Sequence, residues 1–340
     1  APGGEGAPLA GIGMPEEFRP HPGIPRNVVH FLDQGSLLAL DAALRALDAA
    51  GLGSGAGDAR RFAVADGLPY RAPGQGAMFV PYGHLVARTL GIRGPVVTVA
   101  GAEASGMAAI VQAARIIARG DADVVIAGAA QALQRPLLEH LQALSGERAL
   151  PFDRGHAGMV AAEGAAYVII EAEAHARQRG AAVLARVAAA AETFDPLTEP
   201  TAVADANEAG RLMQAILGAA GYLQNQVDLL VSCADGRPAL DVADGFGALR
   251  TFGRHAYYAD VTATAGSLGQ LLAAGGPAAV AMAAEAMRRE QVWPIAGLET
   301  PVEGLELAFV REVKSAKLDC VLVTSLGTGG VGAGVLLTAP

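Results

Sequence analysis

The chain has 340 residues, 52% hydrophobic, 5% aromatic and 17% charged, with a mean hydropathy of +0.33. That is enough for one large domain or two ordinary ones, too apolar for a disordered chain, and built for a core of Ala, Val and Leu; the sparse charge suggests surface hidden in a stable oligomer. A net charge of −9 argues against nonspecific binding to nucleic acid or to an anionic membrane.

Residues 1–26 are rich in Gly and Pro, with a short strand expected at 9–13 (LAGIG). Leu37, Leu40, Leu44 and Leu47 recur at helical spacing and predict an amphipathic helix ending near Gly51. Residues 61–65 (RFAVA) predict a strand, 68–82 an irregular segment and 83–90 a helix. The stretch 96–106, VVTVAGAEASG, reads as a β-branched strand, a turn of small residues and a helix opening near Ala104. Such an elbow presents one side chain beside a helix N-terminus, where backbone N–H groups favour negative charge. Here that side chain is Glu103.

The pattern then predicts a helix over 104–119, a strand at 124–129 whose unbroken apolar run marks burial on both faces, and a strand at 164–171 leading into a charged helix at 172–179. Strands follow at 183–190, 227–233 and 258–264, helices at 205–221 (capped by Asp205), 239–252 and 268–288, and closing strands at 318–325 and 334–338. Strands and helices alternate throughout, so an α/β fold is expected. The strand–turn–helix unit at 96–119 recurs at 227–252, which hints at duplication: halves at 1–172 and 173–340 in one fused body.

Two cysteines, Cys233 and Cys320, cannot make a disulfide framework, and no Cys/His spacing suggests a structural zinc. Neither a signal peptide nor a membrane span is expected, because the longest apolar run, 271–284, is broken by Gly275, Gly276 and Pro277. No metal or nucleotide motif is present, no cofactor is expected, and a cytoplasmic location fits.

Five segments in order carry a family resemblance: GIRGPVVTVAGAEASG (91–106), GDADVVIAGAAQ (120–131), PFDRGHAGMVAAEGAA (151–166), GSLGQLLAAGG (266–276) and SLGTGGVGAG (325–334). Together they resemble the β-ketoacyl synthases of the thiolase fold over essentially the whole chain. The resemblance implies duplicated βαβ halves in a layered α/β/α/β/α arrangement. It also implies a mechanism that this sequence lacks. The family's nucleophilic cysteine falls at Glu103, its first histidine at or near Ala234 in VSCADGRP, its lysine at Ala265, its second histidine at Gln270 and its phenylalanine gate at Thr328. A site without its nucleophile and both proton-handling groups cannot be rescued by binding energy.

Among the family's subfamilies, the chain most resembles the chain-length factor of type II polyketide synthases, a ketosynthase-like subunit that pairs with an active ketosynthase. Many such subunits carry Gln at the cysteine position, so Glu103 is a near departure. The resemblance implies an active ketosynthase as heterodimer partner, substrates carried on an acyl carrier protein, and no catalytic residue in this chain. The chain is also shortened between Gly13 and Val28, around 68–79 and after Gln131, regions that in the family help build the dimer contact and acyl tunnel.

Three readings of Glu103 stand side by side. It is a structural plug held by backbone N–H groups, a partner in a bond across a subunit interface, or a working acid or base on an acyl thioester. The rival functions are accordingly a repurposed enzyme and a non-catalytic homodimeric scaffold that binds carrier protein. Met78, Phe79 and Tyr82 are bulky residues among small ones, read either as ordinary core or as lining of the elongation tunnel. Cys233 reads as a small buried hydrophobe, His156 as a surface or loop contact, and His84 either as a residue near the tunnel or as a structural histidine.

Overall fold

A computed structural model describes residues 11–13, 17–53, 57–70, 81–196, 199 and 202–340. In chain order the elements are α1 (Arg26–Val29), α2 (Gln34–Ala49), β1 (Phe62–Gly67), α3 (Tyr82–Leu90), β2 (Val96–Val99), α4 (Ser105–Ala118), β3 (Val124–Gln131), α5 (Arg135–Leu141), β4 (Gly164–Glu171), α6 (Glu173–Gln178) and β5 (Arg186–Phe194). They continue with α7 (Ala206–Ala220), β6 (Leu229–Ser232), α8 (Pro238–Phe252), β7 (Asp260–Ala263), α9 (Ala265–Leu268), α10 (Gly275–Arg289), β8 (Gln291–Val292), β9 (Ala308–Phe309), β10 (Lys314–Ser315), β11 (Cys320–Leu326) and β12 (Val331–Thr338).

The apolar runs of β3 and β11 are buried along their full length, and each lies inside a sheet. One sheet has the order β2-β1-β3-β4 and the other β5-β12-β11-β6-β7-β9. Side chains that alternate along a strand feed different layers. Ala63, Ala65, Val125 and Ala127 of the first sheet, and Val321 and Val323 of the second, face a central layer formed by α4 and α10. Val64, Val124 and Ile126 face outward onto α2 and α3, while Leu230, Leu322 and Leu336 face α7 and α8. Five layers, α/β/α/β/α, result.

The duplication is present, but it pairs elements differently from the sequence reading. In the first sheet β1 is parallel to β2 and β3, and β4 is antiparallel to β3. In the second, β6 is parallel to β7 and β11, and β12 is antiparallel to β11. The order β2-β1-β3-β4 therefore repeats as β7-β6-β11-β12. The counterpart of β2–α4 is β7–α10, not the unit at 227–252. Both α4 and α10 run through the central layer, and they cross at paired glycines. A Cβ on Gly106 would lie 2.2 Å from the carbonyl oxygen of Ala273, and one on Gly276 would lie 2.8 Å from Cβ of Met107.

Two further expectations are corrected. The strand expected at 183–190 runs instead from Arg186 to Phe194, where it finds β12 as partner; Val183 and Leu184 stay exposed. The helix expected over 268–288 is broken. Gly269, at φ +72°, ends α9, and Gln270 then pairs with the segment 160–162 through Gln270 N–H to Val160 O (2.7 Å) and Ala162 N–H to Gln270 O (2.9 Å). The continuous helix begins at Gly275. Asp205 caps α7 as expected, accepting from the N–H groups of Asn207 and Glu208. Ile12, in the expected first strand, forms a single bridge to Ala162; residues 9 and 10 lie outside the described residues.

Candidate functional site

The elbow after β2 is tight. Ala102 adopts φ +50°, a conformation non-glycine residues rarely hold, and opens a single 3-10 turn, 102–104, before α4 starts at Ser105. This directs Glu103 inward, where it is 3% exposed. Burying a carboxylate without partners is costly, so its surroundings decide what it is for.

Among the described residues, three donors bond it. Arg237 Nη1 donates to Glu103 Oε1 (2.9 Å), Thr328 Oγ1 donates to the same oxygen (2.9 Å), and the Thr328 backbone N–H donates to Oε2 (2.8 Å). Arg237 is in turn held by Asp235, whose carboxylate accepts from Nε (3.0 and 3.1 Å) and from the Arg237 backbone N–H (3.0 Å). Nη2 sits 2.9 Å from Asp235 Oδ2 but off the line of a hydrogen bond. Gln270 closes the chain: its Nε2 donates to Asp235 Oδ2 (2.7 Å) and its Oε1 accepts from the Leu272 N–H (2.9 Å). Burial works to lower the guanidinium pKa, but Asp235 and Glu103 outweigh it and hold Arg237 above its ordinary value.

A further carboxylate fixes the loop that carries Asp235 and Arg237. Asp241, fully buried, accepts from the N–H groups of Asp235 (3.0 Å), Gly236 (3.1 Å) and Phe152 (2.8 Å), and bonds His156 Nδ1 at 2.9 Å. His156 is thus a loop contact, as expected, with a carboxylate as its partner.

Beside Glu103 lies a cavity of about 30 Å³, lined by Ser232, Cys233, Ala265, Gln270, Leu272 and Ser325 among others. It has room for a water molecule or two and is far too small for an acyl chain. Cys233 faces this cavity with its thiol pKa driven well up by burial and by the Asp244 carboxylate. Asp244 itself is pushed up to about 6 by burial, against hydrogen bonds from Ser232 and Thr324.

The structure therefore gathers Glu103, Gln270 and Thr328, lost reactive positions inferred from the resemblance, into one network, with Ala265 on the adjoining cavity wall. Ala234 is buried, but its neighbour Asp235 is the residue that reaches the network. Sequence reasoning missed Arg237 and Asp235. The signal was the DGR turn after an apolar strand: an acid and a base two residues apart, opposite an acid at the cysteine position. The ion pair of Glu103 is made within the chain, and no imidazole or amine among the described residues bonds it. Tyr82 packs in the core formed by α2, α3 and the first sheet, its hydroxyl against Gly35, and does not reach the cavity. His84 is exposed on α3. Met78 and Phe79 lie outside the described residues.

Comparison with known proteins settles the family. Residues 15–176 match the β-ketoacyl synthase N-terminal domain and 184–299 the β-ketoacyl synthase C-terminal domain. The chain belongs to the β-ketoacyl synthase family. It is 30% identical over 281 residues to 3-oxoacyl-[acyl-carrier-protein] synthase 2 of Coxiella burnetii (strain RSA 493 / Nine Mile phase I), covering 79% of this chain and 67% of that protein. Among solved structures, the ishigamide ketosynthase/chain length factor superposes with a TM-score of 0.87 at 20% identity, over 96% of this chain and 87% of that one. A type II PKS acyl-carrier protein in complex with its ketosynthase bound to the hexaketide (AntDE:AntF) gives 0.82 at 23% identity, over 90% and 85%. At these identities the structural likeness speaks for the thiolase-like fold. Among the described residues, this β-ketoacyl synthase family member has no group of His, Cys, Asp or Glu placed to hold a metal, and no helix long and apolar enough to cross a membrane.

Proposed function

We propose that this chain is a catalytically silent ketosynthase-like subunit, a chain-length factor. In this reading it pairs with an active ketosynthase and supplies part of the wall of an acyl elongation cavity. The cysteine chemistry resides in the partner, and the growing chain stays tethered to an acyl carrier protein. The two halves, 1–172 and 173–340, form one fused body.

One observation carries the reading: Glu103, at the elbow where the family's nucleophile stands, is bonded on both oxygens by Thr328 and Arg237. A nucleophile or base needs a free lone pair aimed at substrate and a route for its proton. Three of this carboxylate's roughly four lone-pair positions are taken by donors, and the space beside it has room only for water-sized groups. The two carboxylates around one guanidinium would also repel the carboxylate of a malonyl group, which weighs against decarboxylation here. Likeness to the ishigamide ketosynthase/chain length factor and to a carrier-protein-bound ketosynthase supports the choice of partners.

Co-expression with a cysteine-bearing ketosynthase tests it. A one-to-one complex whose product length depends on this chain is expected. A chain that stays a homodimer and leaves product length unchanged contradicts the reading.

A further inference from the structure

We propose that Arg237 and Thr328 form a receptor for a short monocarboxylate, and that the side chain of Glu103 is its resident ligand. The inference rests on the reading of Glu103 as an occupant and not a reagent, and it adds what the site recognises.

The three donors to Glu103 are positioned by bonds that do not involve Glu103. Arg237 is gripped by Asp235 through its side chain and its backbone N–H. Asp235 is itself fixed by Gln270 through its carboxylate and by Asp241 through its backbone. Thr328 sits in a glycine turn pinned on either side: Gly327 N–H donates to Val331 O (2.7 Å) and Gly329 N–H to Ala202 O (2.7 Å). The cradle is therefore preorganised. A guanidinium, a hydroxyl and a backbone N–H converging within 2.8–2.9 Å of two oxygens match a carboxylate and not a neutral carbonyl.

Size follows from the covalent structure. Shortening Glu103 to Ala removes one methylene and the carboxylate, a fragment of the size of acetate. The adjoining space of about 30 Å³ adds little, so acetate and formate fit and a longer acid such as hexanoate does not. In the native chain the tether keeps the receptor filled, and the Thr328 N–H is committed to Glu103 Oε2.

The test is thermal denaturation of the purified full chain, with any partner that co-purifies, in acetate, hexanoate or chloride at equal ionic strength. Glu103→Ala is expected to melt lower than the native chain in chloride and to rise by about 2–4 °C in acetate but not in hexanoate. The native chain and the double variant Glu103→Ala/Arg237→Met are expected to melt alike in all three. A folded Glu103→Ala that ignores acetate, or an acetate response that survives loss of Arg237, overturns the receptor. Should Glu103→Ala not accumulate folded, refolding asks the same question. Recovery of soluble chain in acetate alone supports the receptor; equal recovery in acetate and chloride overturns it. Neither failure touches the silent-subunit reading, which is tested separately by co-expression with a ketosynthase and by turnover of acyl thioesters.

Discussion

The molecule contains the same elbow twice. In the first half Ala102, at φ +50°, opens a 3-10 turn over 102–104 that feeds α4; in the second Leu272, also at φ +50°, opens a turn over 272–274 that feeds α10. Gly106 and Gly276 then let the two helices touch. The backbones match, so the side chains make the difference. Position 103 carries a glutamate inside a ring of donors, while its counterpart, Ala273, is a fully buried methyl group. The fold supplies the strained turn in both places, so strain alone does not mark a reactive site. What the elbow does is decided by which side chain it presents and by what surrounds it.

The largest effect is expected at the counter-ion of the first elbow. Arg237→Met leaves the carboxylates of Glu103 and Asp235 buried without their cation, and should cost about 3–5 kcal/mol of stability in urea denaturation. Neutralising both acids as well, in Glu103→Gln/Asp235→Asn/Arg237→Met, should recover most of that loss, since a neutral cluster needs no counter-ion. Among the described residues, no ion pair involves the turn 272–274 of the second elbow.

Next comes the helix crossing that the elbows share. Gly106→Ala places a methyl group against the Ala273 carbonyl and Gly276→Ala one against Met107, so each should cost about 3 kcal/mol, with Gly106→Ala the worse because its neighbour is backbone. Equal and negligible effects would show that the two elbows are not packed against each other as described.

Glu103→Gln sharpens the contrast at one atom. It keeps the shape but replaces one accepting oxygen by a donor facing Arg237 or Thr328, so a loss of about 1–3 kcal/mol is expected. Ala273→Ser, at the matching position, should cost less than Glu103→Gln in the same denaturation series.

The smallest effect is the pH dependence. Asp66, at the end of β1, accepts from Tyr167 Oη (2.6 Å) and Gly83 N–H (2.8 Å), yet burial outweighs these bonds and pushes it up to about 6; Asp244 is raised to about 6 for the same reason. Between about pH 4 and pH 6 the folded chain keeps these protons while the unfolded chain has released them, so their contribution falls as pH rises through that window and is flat above it. Asp66→Asn should remove roughly 2 kcal/mol of that fall, read as a smaller difference between denaturation midpoints at about pH 4 and about pH 7.

Much of this was legible in the sequence, for physical reasons that also mark where legibility ends. The elbow strand, β3 and the two outer helices α2 and α7 follow from β-branching and apolar period, which are local properties. The break at Gly269 and Gln270 was not legible, because it comes from pairing with residues 160–162, more than a hundred positions away. Duplication was visible as alternation, but alternation looks alike in every β–α unit; only sheet order distinguishes β7–α10 from β6–α8 as the match to β2–α4. At the site, family segments located Glu103, Gln270 and Thr328. Arg237 escaped because its significance lies in a partner 134 residues away, and nothing in a loop sequence states which buried charge it faces.

The central claim is that Glu103 fills the site instead of working in it. It is tested most directly by giving the isolated chain an acyl thioester and a malonyl thioester on acyl carrier protein and following both by mass spectrometry. The account predicts no condensation and no decarboxylation above the protein-free rate, with native chain and Glu103→Gln indistinguishable. Turnover by the native chain that disappears in Glu103→Gln would contradict it.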